Sequence, residues 1–445
     1  MERKNAWAAY AGDDGRVEAF AKAYCDFINN GKTERECVAY GEKLAKAHGF
    51  EDLNAVVRSG RKLEAGARVY VNWMGKSFML FVLGEKPLED GMNILGAHID
   101  SPRIDVKQNP LYEDTDLAYL DTHYYGGIKK YQWVAIPLAL HGVIVRKTGE
   151  KVIINIGEDE NDPVFCISDL LVHLAQEQMT KNAKEVVEGE ALNLIVGGRP
   201  LEGEEKDAVK ANVLKLLADK YGVEEEDFLS AELEIVPAGK ARDMGFDRSM
   251  ILAYGHDDRV CAYPSMMAVL DYEGTPEYTL CCIVTDKEEI GSVGATGMAS
   301  HYLENTVAEL YACTADYCEL AVRRCLRNSR MLSSDVSAGY DPNFASAFEK
   351  KNSAFLGRGI CFNKFTGSRG KSGSNDANPE FMASLRKIMD DAGVAFQTAE
   401  LGRVDLGGGG TIAYLCAKYG MNVIDSGIPV LSMHAPYEVI SKVDL

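Results

Sequence analysis

The chain runs to 445 residues, with 48 Lys and Arg against 67 Asp and Glu and a formal net charge of −19 at pH 7. Its 46% apolar and 26% charged residues are the proportions of an ordinary globular protein with room for two domains or one large one. So acidic a chain excludes non-specific nucleic-acid binding, which needs a basic surface for phosphates. No stretch approaches the roughly 18 continuous apolar residues of a membrane span.

Met1-Glu2-Arg3-Lys4-Asn5 leads into no apolar signal core. The eleven cysteines are odd in number and scattered, unlike a disulfide framework. Cys313, Cys318 and Cys325 lack the paired Cys-x-x-Cys spacing of a structural zinc site. A reducing cytoplasm is the expected compartment.

In chain order, Val17, Phe20, Ala21, Tyr24, Phe27 and Ile28 fall on one face of a predicted helix. Val69, Val71 and Trp73, then Phe78, Leu80 and Val82, alternate on either side of Met74-Gly75-Lys76, which predicts a hairpin. A short apolar strand, Asn93 to Ala97, then delivers His98. Residues 104–157 are rich in Tyr, Val and Ile, with turns at Gly126-Gly127 and Thr148-Gly149-Glu150, and predict strands without intervening helices. Phe165–Leu174, carrying His173, has a helical pattern. Residues 183–206 are polar, a helix is predicted over 206–220 (Val209, Val213, Leu216, Leu217), and a strand over Glu232–Pro237.

From 250 onward strands and helices alternate, which predicts an α/β sandwich with a largely parallel sheet. Leu280–Val284 is an almost wholly apolar run suited to a buried strand, with Cys281 and Cys282 as packed thiols. Asn378-Pro379-Glu380 is a cap followed by proline at the first helical position, Phe381, Leu385, Ile388 and Met389 form the stripe of that helix, and Gly393 ends it. Residues 104–245 are expected as a β-rich insert that splits one domain into 1–103 and 246–445. The stretch between His98 and Asp257 is by far the longest gap between candidate ligands.

Those ligands are His98, Asp257, Glu289, Asp335 and His434, each where an apolar segment gives way to a polar turn, with Glu288 beside the third. Two imidazoles, three carboxylates and a spare glutamate suit a site for two divalent cations. One carboxylate bridges, each cation takes two further ligands, and the glutamate handles the proton of a water. Asp100, two residues after His98 on an extended chain, can accept the second imidazole N–H and select the ligating nitrogen. Hydrolysis is the expected chemistry, with zinc first among the metals and manganese or cobalt as alternatives.

The motifs Gly-Ala-His98-Ile-Asp100-Ser-Pro-Arg, Asp257-Asp258-Arg259, Asp286-Lys-Glu288-Glu289-Ile-Gly-Ser, Ser-Ser-Asp335 and Ser-Met-His434-Ala-Pro-Tyr-Glu resemble, in this order, the M18 metallo-aminopeptidases, in particular the bacterial branch. The resemblance runs from about Gly96 to His434 and implies a zinc-peptidase-like fold whose insert is a dimerisation domain. It implies that His98 and Asp335 complete one metal, Glu289 and His434 the other, with Asp257 bridging and Glu288 as general base. The first aspartate of the pair bridges in related enzymes and the second follows a cis peptide, although the sequence leaves Asp258 open as the bridge. It further implies peptide substrates, a histidine at His173 that acts in the neighbouring subunit's site, and a homo-oligomer built from dimers, up to a dodecamer. A carboxypeptidase or N-acyl amino acid deacylase on the same scaffold, or a catalytically silent assembly protein, are the rival readings.

Three features carry less. Gly291-x-x-Gly294-x-x-Gly297 lacks the Gly-Lys-Ser/Thr of a phosphate loop and is expected as backbone packing near the metals. Leu406-Gly407-Gly408-Gly409-Gly410-Thr411 is either a helix-entry turn or a loop whose bare backbone approaches substrate at Gly408 and Gly409, and the resemblance favours the loop. Lys364, Arg369 and Lys371 are either a solvated run or, at Lys371 above all, a contact for an acidic substrate side chain. Whether the preferred N-terminal residue is acidic or neutral stays open.

Overall fold

The computed structural model describes residues 4–445; Met1, Glu2 and Arg3, part of the stretch read above for a signal core, lie outside the described residues. The chain divides into two compact units. One comprises the residues up to Asp100, Ala241–Met433 and Glu438–Leu445, and the other comprises Ser101–Lys240 with His434–Tyr437. Among the described residues no helix is long and apolar enough to cross a membrane.

Among the described residues, the first unit is built on a nine-stranded sheet in the order Glu51–Asp52, Arg68–Trp73, Ser77–Val82, Thr279–Thr285, Met92–His98, Arg330–Ser334, Asn422–Gly427, Ile360–Asn363 and Phe396–Thr398. Strands 279–285, 92–98, 330–334 and 422–427 run parallel to one another, so their carboxyl ends share one edge, where sites form in open α/β sheets. Antiparallel neighbours flank them: strand 77–82 on one side and strand 360–363 on the other.

Local chemistry accounts for these elements. Thr279–Thr285 is buried along nearly its whole length, as an apolar run covered on both faces must be. The hairpin turns at Met74 and Gly75, both at positive φ, and pairs Trp73 with Ser77. Helix Glu34–Ala47 opens on a capping box between Thr33 and Glu36. Helix Pro379–Ala392 starts after Asn378 and stops at Gly393 in the left-handed region.

Helices Asp14–Asn30, Glu34–Ala47 and His256–Leu270 bury Tyr24, Phe27, Val38 and Met266 with Phe78, Leu80 and Cys282 of the sheet. Helices Tyr302–Thr314 and Glu319–Asn328 bury Val307, Leu310 and Leu326 with Met79, Ile94 and Cys281. The strand residues of the two clusters alternate, as the period of a strand requires, so the sheet is covered on both faces by helices.

The second unit carries, among the described residues, a six-stranded antiparallel sheet in the order Lys151–Ile156, Leu138–Val145, Ala231–Pro237, Arg103–Asp114, Leu117–Tyr125 and Leu194–Gly197. Helix Ala208–Tyr221 lies against it and is buried through Val209. One expectation fails here. The segment around His173 is a series of turns followed by a short 3-10 turn at Gln178–Thr180, and no α-helix forms. Leu170, Leu171, Val172 and Leu174 are exposed, so the apolar periodicity has no core in this chain on which to order a helix, and helices draw most of their stability from such packing.

Candidate metal centre

The carboxyl ends of the parallel strands bring the candidate ligands of the first unit together. Parallel pairing sets His98 level with Thr285 and Ser333 level with Gly96, which places the turns after 285 and 334 beside His98. Asp335 is fixed just past its strand by its N–H, which donates to the Ser426 carbonyl at 2.8 Å. His98 Nε2 lies 3.3 Å from Asp257 Oδ1 and 4.0 Å from Asp335 Oδ1. Two trios have donor atoms mutually within 4.8 Å, His98 with Asp257 and Glu289, and His98 with Asp258 and Asp335. Both members of the Asp257-Asp258 pair therefore face the cluster, and the peptide joining them is cis.

Asp100 does more than the sequence indicated. The His98 Nδ1 donates to the Asp100 carbonyl at 2.9 Å and lies 3.4 Å from its carboxylate. That carboxylate accepts the N–H of Glu288 at 3.1 Å and of Glu289 at 3.2 Å. One buried side chain thus holds the short 3-10 turn Glu288–Ile290 and borders His98, a link of the kind that orients metal ligands. Lys287, which enters that turn, is at positive φ. Gly297 is backbone packing, since a Cβ there would lie 2.2 Å from the Ser292 carbonyl oxygen, whereas Gly291 has open space around it.

Two residues to which the sequence assigned no role, Glu438 and Arg259, complete the support together with Asp258. Glu438 accepts the Asp257 N–H at 2.9 Å. The fully buried Arg259 donates to the carbonyls of Ile99 at 3.2 Å and Lys32 at 2.9 Å, clamping the segment that follows His98. The His98 N–H donates to Asp258 Oδ2 at 3.3 Å. Arg259 and Glu438 both stood in the quoted motifs, Glu438 four residues after His434, so a signal was present without a contact to interpret it.

The electrostatics suit a cation. Burial opposes charge on His98, but the Asp100 and Asp257 carboxylates outweigh it and raise its pKa. Burial, relieved in part by His98 and reinforced by Asp257, raises Asp258. Burial and then the charge of Asp258 raise Asp335. Carboxylates crowded in a dry place repel one another, and a divalent cation removes that repulsion while using the oxygen and nitrogen donors that zinc accepts. The donor set fits a divalent metal. Nearby, Asp425 accepts from Thr411 Oγ1 at 2.5 Å, and burial, only partly offset by that bond, pushes its carboxyl up to about 7.

The remaining predicted residues are placed as follows. His434 belongs to the second unit, where its Nδ1 donates to the Gly127 carbonyl at 2.9 Å. His434 is also at positive φ, a conformation that tends to mark functional positions. His173, in the same unit, is exposed. Lys371 pairs with Asp376 at 3.0 Å, shares it with Lys364, and sits 4.0 Å over the Phe365 ring. Gly408 presses on the backbone of Gly367 and Ser368, while Gly409 has open space where a side chain would stand.

Comparison with known proteins agrees. Residues 27–445 match the family model described as aminopeptidase I zinc metalloprotease (M18). A probable M18 family aminopeptidase 1 of Clostridium acetobutylicum is 58% identical over 100% of this chain and 96% of its own length. The crystal structure of an M18 aminopeptidase from Thermotoga maritima superposes with a TM-score of 0.94 at 43% identity, covering 100% of this chain and 96% of the other. The S. cerevisiae mApe1 dodecamer shares the fold at 21% identity, TM-score 0.75, over 96% of this chain and 94% of its own. The chain thus has the zinc-peptidase-like α/β fold and belongs to the M18 family of aminopeptidase I zinc metalloproteases.

Proposed function

We propose that this enzyme is a dinuclear metallo-aminopeptidase that removes N-terminal residues from peptides. The observation that carries the reading is the pair of donor trios converging on His98, with Glu288 held beside them by Asp100. We assign His98 and Asp335 to one metal, Glu289 and His434 to the other, and Asp257 as the bridge, following the motif resemblance. Asp258 remains the rival bridge because its carboxylate stands in a trio of its own. Zinc is the metal the donor set favours, with manganese or cobalt as substitutes. Bound divalent ions supply Lewis acidity toward a water and the scissile carbonyl.

The chain's own groups do the rest. Glu288 takes the proton of the attacking water and returns it to the leaving amine, a general-base then general-acid role. Asp100 fixes the backbone of Glu288 and Glu289, and its carbonyl fixes the His98 tautomer. The second unit serves as the dimerisation domain. In it His173 stands among exposed Leu171, Val172 and Leu174, a surface that a second copy can cover while His173 reaches the partner's site. A homo-oligomer built from dimers, with a dodecamer as the larger assembly, follows from the resemblance. A reducing cytoplasm suits eleven free thiols.

A panel of aminoacyl-p-nitroanilides (Asp, Glu, Leu and their N-acetyl forms) assayed with Zn, Mn and Co tests the reading. Turnover of free-amine substrates alone, abolished by chelation, is expected; equal turnover of N-acetyl substrates would make the protein a deacylase. For the first pocket, Lys371 is proposed as the contact for an acidic side chain. Lys371→Ala should then lower relative kcat/KM for Asp and Glu roughly ten- to a hundredfold, the range of a charged hydrogen bond, and leave Leu unchanged. A wild-type preference for Leu with every metal would return Lys371 to its pairing with Asp376.

A further inference from the structure

The glycine run 407–410 is anchored at both ends, and the second anchor is a buried acid that the mechanism above does not use. At the first end, a Cβ on Gly408 would lie 2.6 Å from the Gly367 carbonyl oxygen, and the Gly409 N–H donates to the Thr366 carbonyl at 3.0 Å. At the other end, Thr411 Oγ1 donates to Asp425 Oδ1 at 2.5 Å and accepts the Ala413 N–H at 3.3 Å, at the entry of helix Ala413–Ala417. Between the anchors, Gly409 and Gly410 have nothing within 4 Å of where a side chain would begin. The arch is bare backbone facing open space.

Asp425 lies on strand 422–427, level with Ser333 of strand 330–334, two residues before Asp335. Its other oxygen, Oδ2, is buried without a hydrogen-bond partner, as is Ser333 Oγ. A buried carboxyl with one oxygen idle is costly, and among the described residues the side-chain hydroxyl it engages is that of Thr411. Sheet strands are rigid and a run of four glycines is not, so a bond from strand to loop determines where the arch rests.

We infer that Asp425 is a positioning residue that, through Thr411, holds the Gly409–Gly410 arch in place to receive the backbone of a bound peptide. The inference rests on the peptidase reading above and extends it to substrate binding. Neither Asp425 nor Thr411 touches the reacting atoms; loss of the anchor loosens the arch and weakens substrate binding, with the metal ligands and Glu288 untouched.

The test uses four variants of the metal-loaded enzyme, each followed by peptide kinetics, metal content and amide hydrogen exchange over 407–413. Thr411→Val and Asp425→Ala remove the bond from either side and should raise KM about tenfold, the scale of one hydrogen bond to a buried acceptor, with faster exchange in the arch and unchanged metal content. Thr411→Ser and Asp425→Asn keep donor and acceptor and should stay within about twofold of wild type.

Wild-type KM in Thr411→Val overturns the inference, and so does faster exchange with no change in KM. If Asp425→Asn is as impaired as Asp425→Ala, the acid acts by its charge and not through Thr411, which also overturns it. Should Asp425→Ala fail to fold, the Thr411→Val and Thr411→Ser pair still decides. None of these outcomes bears on Glu288, whose Gln variant tests the peptidase reading separately.

Discussion

At the scale of single residues, Asp100 holds the turn after strand 279–285 by accepting the N–H of Glu288 and of Glu289, the adjacent pair proposed above for two different roles. Glu288→Gln should retain metal and fold while losing roughly a hundred- to ten-thousandfold in kcat, the usual contribution of a general base. Metal analysis beside the kinetics checks this, and loss of metal would make Glu288 a ligand. Asp257→Asn should weaken both metals together, because a shared donor is lost. If calorimetric titration shows one site intact, Asp258 becomes the bridge, in keeping with its place in the second trio.

At the scale of elements, the C-terminal segment is a clasp. Asp444 accepts the N–H groups of Gly357 at 2.6 Å and Gly359 at 2.7 Å, and Lys442, almost wholly buried, pairs with Glu18 at 2.7 Å and Asp243 at 2.9 Å. Burial, only partly offset by these amides and that of Arg358, lifts the Asp444 carboxyl from its ordinary value of 3.8 to about 7. A carboxyl whose pKa is higher folded than unfolded binds more protons when folded, so its contribution is full below pH 3.8 and is lost as pH rises through about 7. Asp444→Asn does not ionise. Its Tm relative to wild type should therefore climb between pH 4 and pH 7 and level off above; a difference independent of pH would show that Asp444 is already charged at pH 5.

At the scale of the whole molecule, the exposed apolar surface around His173 argues for assembly, since Val172 is 75% exposed and Leu174 67%, more than a monomer usually leaves on one stretch. His173→Ala should lower kcat with metal content unchanged. Mixing it with Glu288→Gln under conditions of subunit exchange should restore part of the activity, because one site in a mixed pair combines an intact Glu288 with the partner's intact histidine. No recovery despite demonstrated exchange, followed by mass measurement, would confine His173 to its own subunit or remove it from catalysis.

The sequence by itself determined most of the elements and offered the candidate donors. Short apolar runs ending in His98, Glu289 and Asp335 are local patterns, and a strand that buries both faces is legible in its composition. The caps at Asn378 and Gly393 and the faces of the first helix are equally local. What only the tertiary structure decided depends on partners far apart in the chain. Glu438 reaches Asp257 across 181 residues and Asp100 reaches Glu288 across 188, and no periodicity encodes such pairs. The same holds for Asp425 and Thr411, fourteen residues apart, where a buried acid on a strand could as well have faced a metal. The helical reading of the His173 segment went wrong for the converse reason: the pattern was there, but its apolar residues have no core in a single chain to pack against.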